Sequence, residues 1–446
     1  MKMAKRGRLR KVHRRDWPGF LNRMIPAAAW QAFLRRLSVS GDPRIRWMGK
    51  LVLLCWVVIG WSLQGSLGER FREGRELIAR LYPCRRRPGT SYQGLVKATG
   101  RLGIGIFHAL WEVLRGELAR QLSQAWTWHG WVVMSADGSR IDAPRTRSNE
   151  RGHGGPGIAG RGKTHPQWWV TWIVHLPTLL IWDWRQGPGR SSERSHVQKM
   201  VGTLPARTLL VADVGFGGFD FLHSLGMAGV HFLVRCASNT TLLAQESRCR
   251  IERRGEQGLV YLWPSHRRGQ APLCLRLIVL KRRGQRVYLL TNVLDPCHLP
   301  RRVASDFYRA RWGIEVEYRS LKQTLGRRKV LARTPKAGTM ELAGNILGLA
   351  LLLLQGALVR AKRLSVAQAL RVIRAVLEAV RCRLSTAWFT ARLRQAVRDS
   401  YQRHSSKRAR DWPHKKKDPV PRPPKLRKPT WYEKHRIMAF CEGIRV

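Results

Sequence analysis

Three acidic residues stand where metal-assisted phosphodiester chemistry would need them. Asp137 follows the apolar run 131–136, Asp213 follows the apolar run 209–212, and Glu315 lies in a stretch of helical spacing between 300 and 325. Cutting or joining a phosphodiester with two divalent ions takes several oxygen ligands converging on one point, the ions roughly 3.5–4 Å apart. The ends of neighbouring strands supply such a point, because they are rigid and close together. An isolated Asp at a strand end is ordinarily a turn or helix cap. Two of them, each ahead of a glycine-containing turn (Gly138 and Gly215), in a chain with only 28 acids, put metal ligation on an equal footing with capping.

Helix geometry places the third acid. At about 100° per residue, Tyr308, Arg311, Glu315 and Lys322 fall within roughly 60° of one another on one face, while Glu317 points to about the opposite side. One stripe therefore carries a carboxylate flanked by two cations and a phenol. The carboxylate can ligate metal, and the cations and hydroxyl can hold phosphates beside it. A solvated Arg311–Glu315 pair at i,i+4 is the simpler alternative, but it leaves Tyr308 and Lys322 on the same stripe unexplained.

The elements that must position these residues are legible as changes of period. Residues 1–127 carry apolar positions at helical spacing in 30–37, 51–63, 77–81 and 106–122, decorated with basic residues. They read as a helical N-terminal DNA-binding region, with a plain helical bundle as the alternative. From 128 the pattern becomes strands at 131–136, 168–175 and 179–184, a helix at 192–201 capped by Ser192, and a strand at 209–212. A helix at 219–225 and a strand at 230–235 follow. That order is the order of a ribonuclease H-like domain, an α/β fold. Residues 240–286 interrupt it with β-rich pieces at 259–263 and 273–280. The core resumes with a strand at 287–293, one long helix over 300–325, an apolar helix at 342–359 and an amphipathic one near 366–380. The catalytic domain is thus expected to span 128–385. Residues 386–446 form a basic C-terminal region; from about 400, runs such as 414–417 and 421–425 predict a largely disordered tail.

Composition agrees with a nucleic-acid partner. Lys and Arg total 83, giving a formal charge of +55, and a partner made of phosphates would neutralise that self-repulsion, nucleic acid first and an anionic membrane second. Eight scattered cysteines form no CxxC pair, so neither a zinc knuckle nor a disulfide framework is expected. Eight basic residues in the first fifteen precede no apolar run, which argues against a signal peptide. The run 51–61 is too short to span a bilayer, and 342–359 is interrupted by Asn345 and Gln355; both read as core helices, so no membrane association is expected.

The pattern Y-x2-R-x3-E-x6-K at Tyr308, Arg311, Glu315 and Lys322 is similar to the signature of DDE transposases of the IS-four superfamily of bacterial insertion elements. Asp137-Gly138-Ser139 resembles that family's first-aspartate context, and Asp213-Val214-Gly215-Phe216 its second. Arg311–Glu315 and Arg333-Thr334-Pro335 match the flanks. The resemblance covers about 130–360. It implies that Asp137, Asp213 and Glu315 are catalytic and bind two Mg²⁺ per site, with Mn²⁺ able to substitute. It implies cleavage at the element's ends, then attack of the freed 3′-hydroxyl on target DNA, in some members through a hairpin. Tyr308, Arg311 and Lys322 would contact end phosphates, and Trp263, the one tryptophan of the β insertion, would stack on a flipped base. The implied partners are double-stranded DNA (terminal inverted repeats and target) and a second copy in a synaptic homodimer, at the bacterial nucleoid in the cytoplasm. A non-catalytic basic nucleic-acid-binding protein, or a stand-alone nuclease of the same fold, are the alternatives.

Residues 157–164, GIAGRGKT, match the P-loop pattern literally, but no strand precedes them and no helix follows. A basic loop ordered by DNA is the expectation there.

Overall fold

The computed structural model describes residues 31–33, 35, 46–81, 87–153, 165–249, 258–282, 285–359, 364–378, 386–397 and 422–442. The Gly-rich loop 154–164, the basic run 414–417 and most of the helical stretch expected at 30–37 lie outside the described residues.

After helical residues at 31–33 and 35, the described chain has α1 (Gly49–Trp61), α2 (Leu67–Leu81), α3 (Tyr92–Leu102) and α4 (Gly105–Gln121), followed by a single helical turn at Ser123–Trp126. Then come β1 (Val132–Asp142), α5 (Arg147–His153), β2 (Gln167–His175), β3 (Leu180–Pro188), α6 (Glu193–Gln198), β4 (Thr208–Ala212), α7 (Phe219–Met227) and β5 (His231–Arg235). The inserted strands are β6 (Thr241–Cys249), β7 (Gly258–Leu262) and β8 (Leu273–Arg282), and β9 (Gln285–Thr291) returns to the core. The helices α8 (Arg301–Ala310), α9 (Trp312–Arg319), α10 (Pro335–Leu358), α11 (Val366–Glu378) and α12 (Thr386–Gln395) follow, with β10 (Lys425–Arg427) and α13 (Trp431–Glu442) at the end.

The ten strands among the described residues form one mixed sheet in the order β10-β6-β7-β8-β9-β5-β4-β1-β2-β3. Strands β1, β4 and β5 run parallel, β2 and β3 are antiparallel neighbours on one side, and β9 is antiparallel to β5 on the other. The insertion is therefore an extension of the core sheet. Period-two alternation shows why both faces are covered: Val132, Met134 and Ala136 of β1 pack with Phe219 and Leu222 of α7, while Val133 joins Phe307 of α8.

The N-terminal helices and the strand domain share one core. Helix α1 is buried along most of its length against α10, and Leu53, Trp56 and Trp61 belong to the same apolar cluster as Ile346, Leu349 and Trp172. Helix α10 is long and apolar enough to cross a membrane by composition, but 94% of its apolar window is buried inside the protein. It starts at Pro335, ahead of the expected 342, with Thr334 as N-cap and Pro335 in the first turn.

Three expectations need correction. Strand β1 runs through Asp137 to Asp142, because β2 continues to pair with it (Asp142 opposite Gln167) after β4 has departed at Ala136–Ala212. The helix over 300–325 is interrupted at Arg311, which keeps helical angles (φ −49°, ψ −33°), and ends in a π-helical turn, Ser320–Thr324. The C-terminal region is not structureless throughout: β10 adds to β6 as a parallel edge strand, and α13 lies on the insertion with Ile437 buried. Glu433 holds this segment, accepting from Arg427 at 2.6 and 2.7 Å and pairing with Arg268.

Arg327 ties the first helix to the segment after the π turn. Its side chain is 2% exposed and donates to the carbonyl oxygens of Ile59, Gly60 and Ser62, where α1 has no helical partners left to offer. Replacing Arg327 with Met should cost about 2–4 kcal/mol, since buried carbonyls lose a charged donor. Denaturant unfolding checks this; a loss under about 0.5 kcal/mol would show that water takes over the role.

Candidate active site

The parallel register of β1 and β4 brings the two aspartates side by side. Ala136 lies opposite Ala212, so Asp137 and Asp213 are the next residues on adjacent strands, a separation set by the roughly 4.8 Å strand spacing. Beyond this point the strands diverge. Asp213 leaves the sheet and caps a 3₁₀ turn, its Oδ1 accepting from the Val214 N–H at 2.7 Å. Asp137 stays in β1 and accepts from the Gly138 N–H at 2.9 Å.

Helices α8 and α9 deliver the rest. Arg311 donates from Nη2 to Glu315 Oε1 at 3.1 Å, and the Tyr308 hydroxyl lies 3.5 Å from Asp213 Oδ1. Lys322, on the π turn, donates to the Ser139 hydroxyl at 2.8 Å, two residues beyond Asp137. Tyr308 and Lys322 thus reach the ends of the aspartate-bearing strands and Arg311 pairs with Glu315, although the helix carrying them breaks at Arg311 and turns π-helical at Lys322. Glu317 is fully buried, away from solvent.

Tyr318 supplies a link that the sequence did not suggest. Its ring stacks on Trp172 with centroids 3.9 Å apart, and its hydroxyl lies 2.8 Å from the Asp137 carbonyl and 3.1 Å from that of Val170. The same hydroxyl accepts from the Trp172 N–H. The helix carrying Glu315 is therefore fastened to the strand carrying Asp137. Gly313, at the start of the same helix, packs against the Leu179 side chain in the β2–β3 turn.

Electrostatics mark the pocket as short of positive charge. Burial raises the Asp137 pKa to about 6; the Gly138 N–H and Arg311 oppose the rise, while Glu315 and Asp213 add to it. Burial works against the charge of Arg311, yet Asp213, Tyr308, Glu315 and Asp137 together lift its pKa. A fourth carboxylate, Glu193 at the start of α6, is also present: burial, then Asp137 and Asp213, push it up to about 7. Its only sequence signal was an acid directly after the cap Ser192, in a chain poor in acids.

An all-carboxylate donor set is of the type that suits a hard divalent cation. Among the described residues no three such side chains close around a single metal-sized point. The Arg311 guanidinium is the counter-charge instead.

Trp263 is placed elsewhere. It is 2% exposed, its indole N–H donates to the carbonyls of Arg267 and Gln270, and Arg268, Arg436 and Phe440 cover its ring. In this arrangement it cannot stack on a base. Trp312, the residue after Arg311, is an exposed aromatic, 55% exposed, with the Arg311 guanidinium 6.0 Å from its ring centre. Asp142 and Asp220 are structural: the first accepts from Gln167 and meets His165, the second pairs with Arg267.

A raised carboxyl pKa means that the folded state binds more protons than the unfolded one. Asp137 therefore destabilises the metal-free fold increasingly as pH rises from about 4 to about 6. Asp137→Asn should gain stability relative to the parent over that window, measured by denaturation in EDTA. A difference that does not change with pH would contradict the uncompensated charge.

The transposase DDE domain family matches residues 128–351, half of the chain. The chain is 24% identical over 325 residues to the transposase InsG for insertion sequence element IS4 of Escherichia coli K12, covering 69% of this chain and 70% of that protein. A looser likeness, TM-score 0.41 at 10% identity over 86% of this chain and 84% of the other, links it to the piggyBac transposase synaptic complex with hairpin DNA. The matched span contains Asp137, Asp213, Glu315 and the whole basic stripe, and the chain belongs to the transposase DDE domain family.

Proposed function

We propose that this transposase cleaves DNA at the ends of its own insertion element and joins the freed 3′ ends to target DNA, with Asp137, Asp213 and Glu315 as the catalytic carboxylates. The observation that supports this reading is that Asp137 and Asp213 follow paired strand positions, with Tyr308 beside Asp213, Arg311 paired to Glu315 and Lys322 bonded to Ser139. The strand order β3-β2-β1-β4-β5, with α6 between β3 and β4, supports a ribonuclease H-like core. Two Mg²⁺, replaceable by Mn²⁺, held by the three acids would activate the attacking oxygen and stabilise the leaving one.

The chain's own residues position the DNA. Tyr308 presents a hydroxyl and Arg311 and Lys322 present cations, suited to non-bridging phosphate oxygens. Arg311 would exchange part of its contact with Glu315 for phosphate, since its fork can serve two acceptors. A groove lined by Lys281, Arg301, Arg302 and Arg309 on α8 and β8 offers further phosphate contacts. Two element ends must be held at once, so the working form is a homodimer on double-stranded DNA at the nucleoid, without membrane attachment.

Cleavage of a supercoiled plasmid carrying the element ends, with Mg²⁺ or Mn²⁺, tests the assignment. Asp137→Ala, Asp213→Ala and Glu315→Ala are each expected to lower cleavage by about 10³-fold or more while keeping DNA binding. Three variants that cut like the parent would reduce the protein to a DNA-binding one, and cutting without any joined product would leave a nuclease. Lys322→Ala should weaken binding to the ends and reduce the salt slope by about one; an unchanged slope would remove Lys322 from the phosphate contacts.

A further inference from the structure

We infer that Arg235 is a further phosphate-binding residue of the same site, holding a DNA phosphate together with Tyr308. This rests on the DNA-cleaving reading above and concerns a cation outside the stripe of Tyr308, Arg311, Glu315 and Lys322.

Strand register places it. Val234 lies opposite Ala212 on β4, as Ala212 lies opposite Ala136 on β1. Asp137, Asp213 and Arg235 are therefore the next residues on three adjacent parallel strands. Period two then fixes the face. Ala136, Ala212 and Val234 pack on the side of α7, whereas Val133, Val211 and Leu233 pack with Phe307 and Tyr308 of α8. Residues 137, 213 and 235 share the phase of the second set, the side from which α8 brings Tyr308. Strand β5 still pairs with β9 at Arg235, opposite Leu289, so this backbone stays in the sheet where that of Asp213 has left it.

The side chain reaches Asp213 without closing on it. Its Nη1 lies 3.8 Å from Asp213 Oδ1, longer than a hydrogen bond, and the side chain is 32% exposed. The Tyr308 hydroxyl lies 3.5 Å from the same oxygen. Burial, then Asp213, raise the Tyr308 pKa, while Arg311 and Arg235 oppose the rise, Arg235 also by hydrogen bonding. The phenol and the two guanidinium groups thus form one cluster. An arginine serving only to neutralise Asp213 would grip it as a fork, with two short bonds. Asp213 Oδ1 accepts instead from the Val214 N–H. With five donors in a planar fork, the guanidinium keeps donors for a second acceptor. A phosphodiester presents two non-bridging oxygens, and a phenol beside such a fork is a donor set that matches them.

The test is equilibrium binding of the full-length protein to a short duplex carrying the element end, followed by fluorescence anisotropy in EDTA over a range of salt concentrations. Arg235→Gln is expected to weaken binding about tenfold or more and to reduce the salt slope by about one. Arg235→Lys keeps the charge but not the fork, so it should restore the slope and only part of the affinity. Parental affinity and slope in Arg235→Gln, whatever its melting temperature, would overturn the assignment, because an ion pair that only holds Asp213 leaves both unchanged. A slope as low in Arg235→Lys as in Arg235→Gln would mark the loss as damage to the strand end and would overturn it too. If the parent binds the duplex without salt dependence, or fails to cleave it with Mg²⁺ or Mn²⁺, it is the DNA-cleaving reading that fails, and the role of Arg235 with it.

Discussion

Carboxylates brought together in a half-buried pocket repel one another, and the architecture around the site answers that repulsion. Strand register is the first answer: Asp137 and Asp213 cannot separate without breaking the parallel pairing that ends at Ala136 and Ala212. Arg311 is the second. The residue is 6% exposed, placed by the joint between α8 and α9 so that one cation acts on three acids at once.

A second layer of contacts makes the pocket rigid from behind. Tyr318 joins the Glu315 helix to the backbone at Asp137. Glu341, fully buried in α10, accepts from the N–H groups of Leu331 and Ala332, and the Asp142 backbone pairs with Arg328 and Val330. The segment after the π turn is thus held between β1 and the long core helix. Charged groups do this work inside the core because they satisfy backbone donors and acceptors that the loop cannot pair by itself.

What was readable in the sequence was whatever repeats with a period. Strands of the core, the polar stripe of Tyr308, Arg311, Glu315 and Lys322, and the apolar helix after Thr334-Pro335 all follow from spacing. What escaped depended on tertiary placement. Glu193 sits on a six-residue helix, too short to show a face. Trp263 looked available because it was the one tryptophan of a β segment, but burial is decided by α13, which lies more than 160 residues later in a region too basic and Pro-rich to suggest a helix. Strand β1 was cut short because Asp and Gly are strand-breaking residues by composition, and only its pairing with β2 carries it on to Asp142.

The shared core of α1 and α10 has a consequence in time. The Trp61 indole donates to the Gly348 carbonyl, 287 residues further along the chain. At about 5–20 residues per second of synthesis, the first helix waits on the order of 15–60 s for the surface that buries it. Throughout that interval the apolar run from Leu51 to Trp61 has no native partner in α10, so the nascent chain is exposed to aggregation until its last third emerges. A transposase made this way completes its core, and with it the support behind its acids, only late in its own translation.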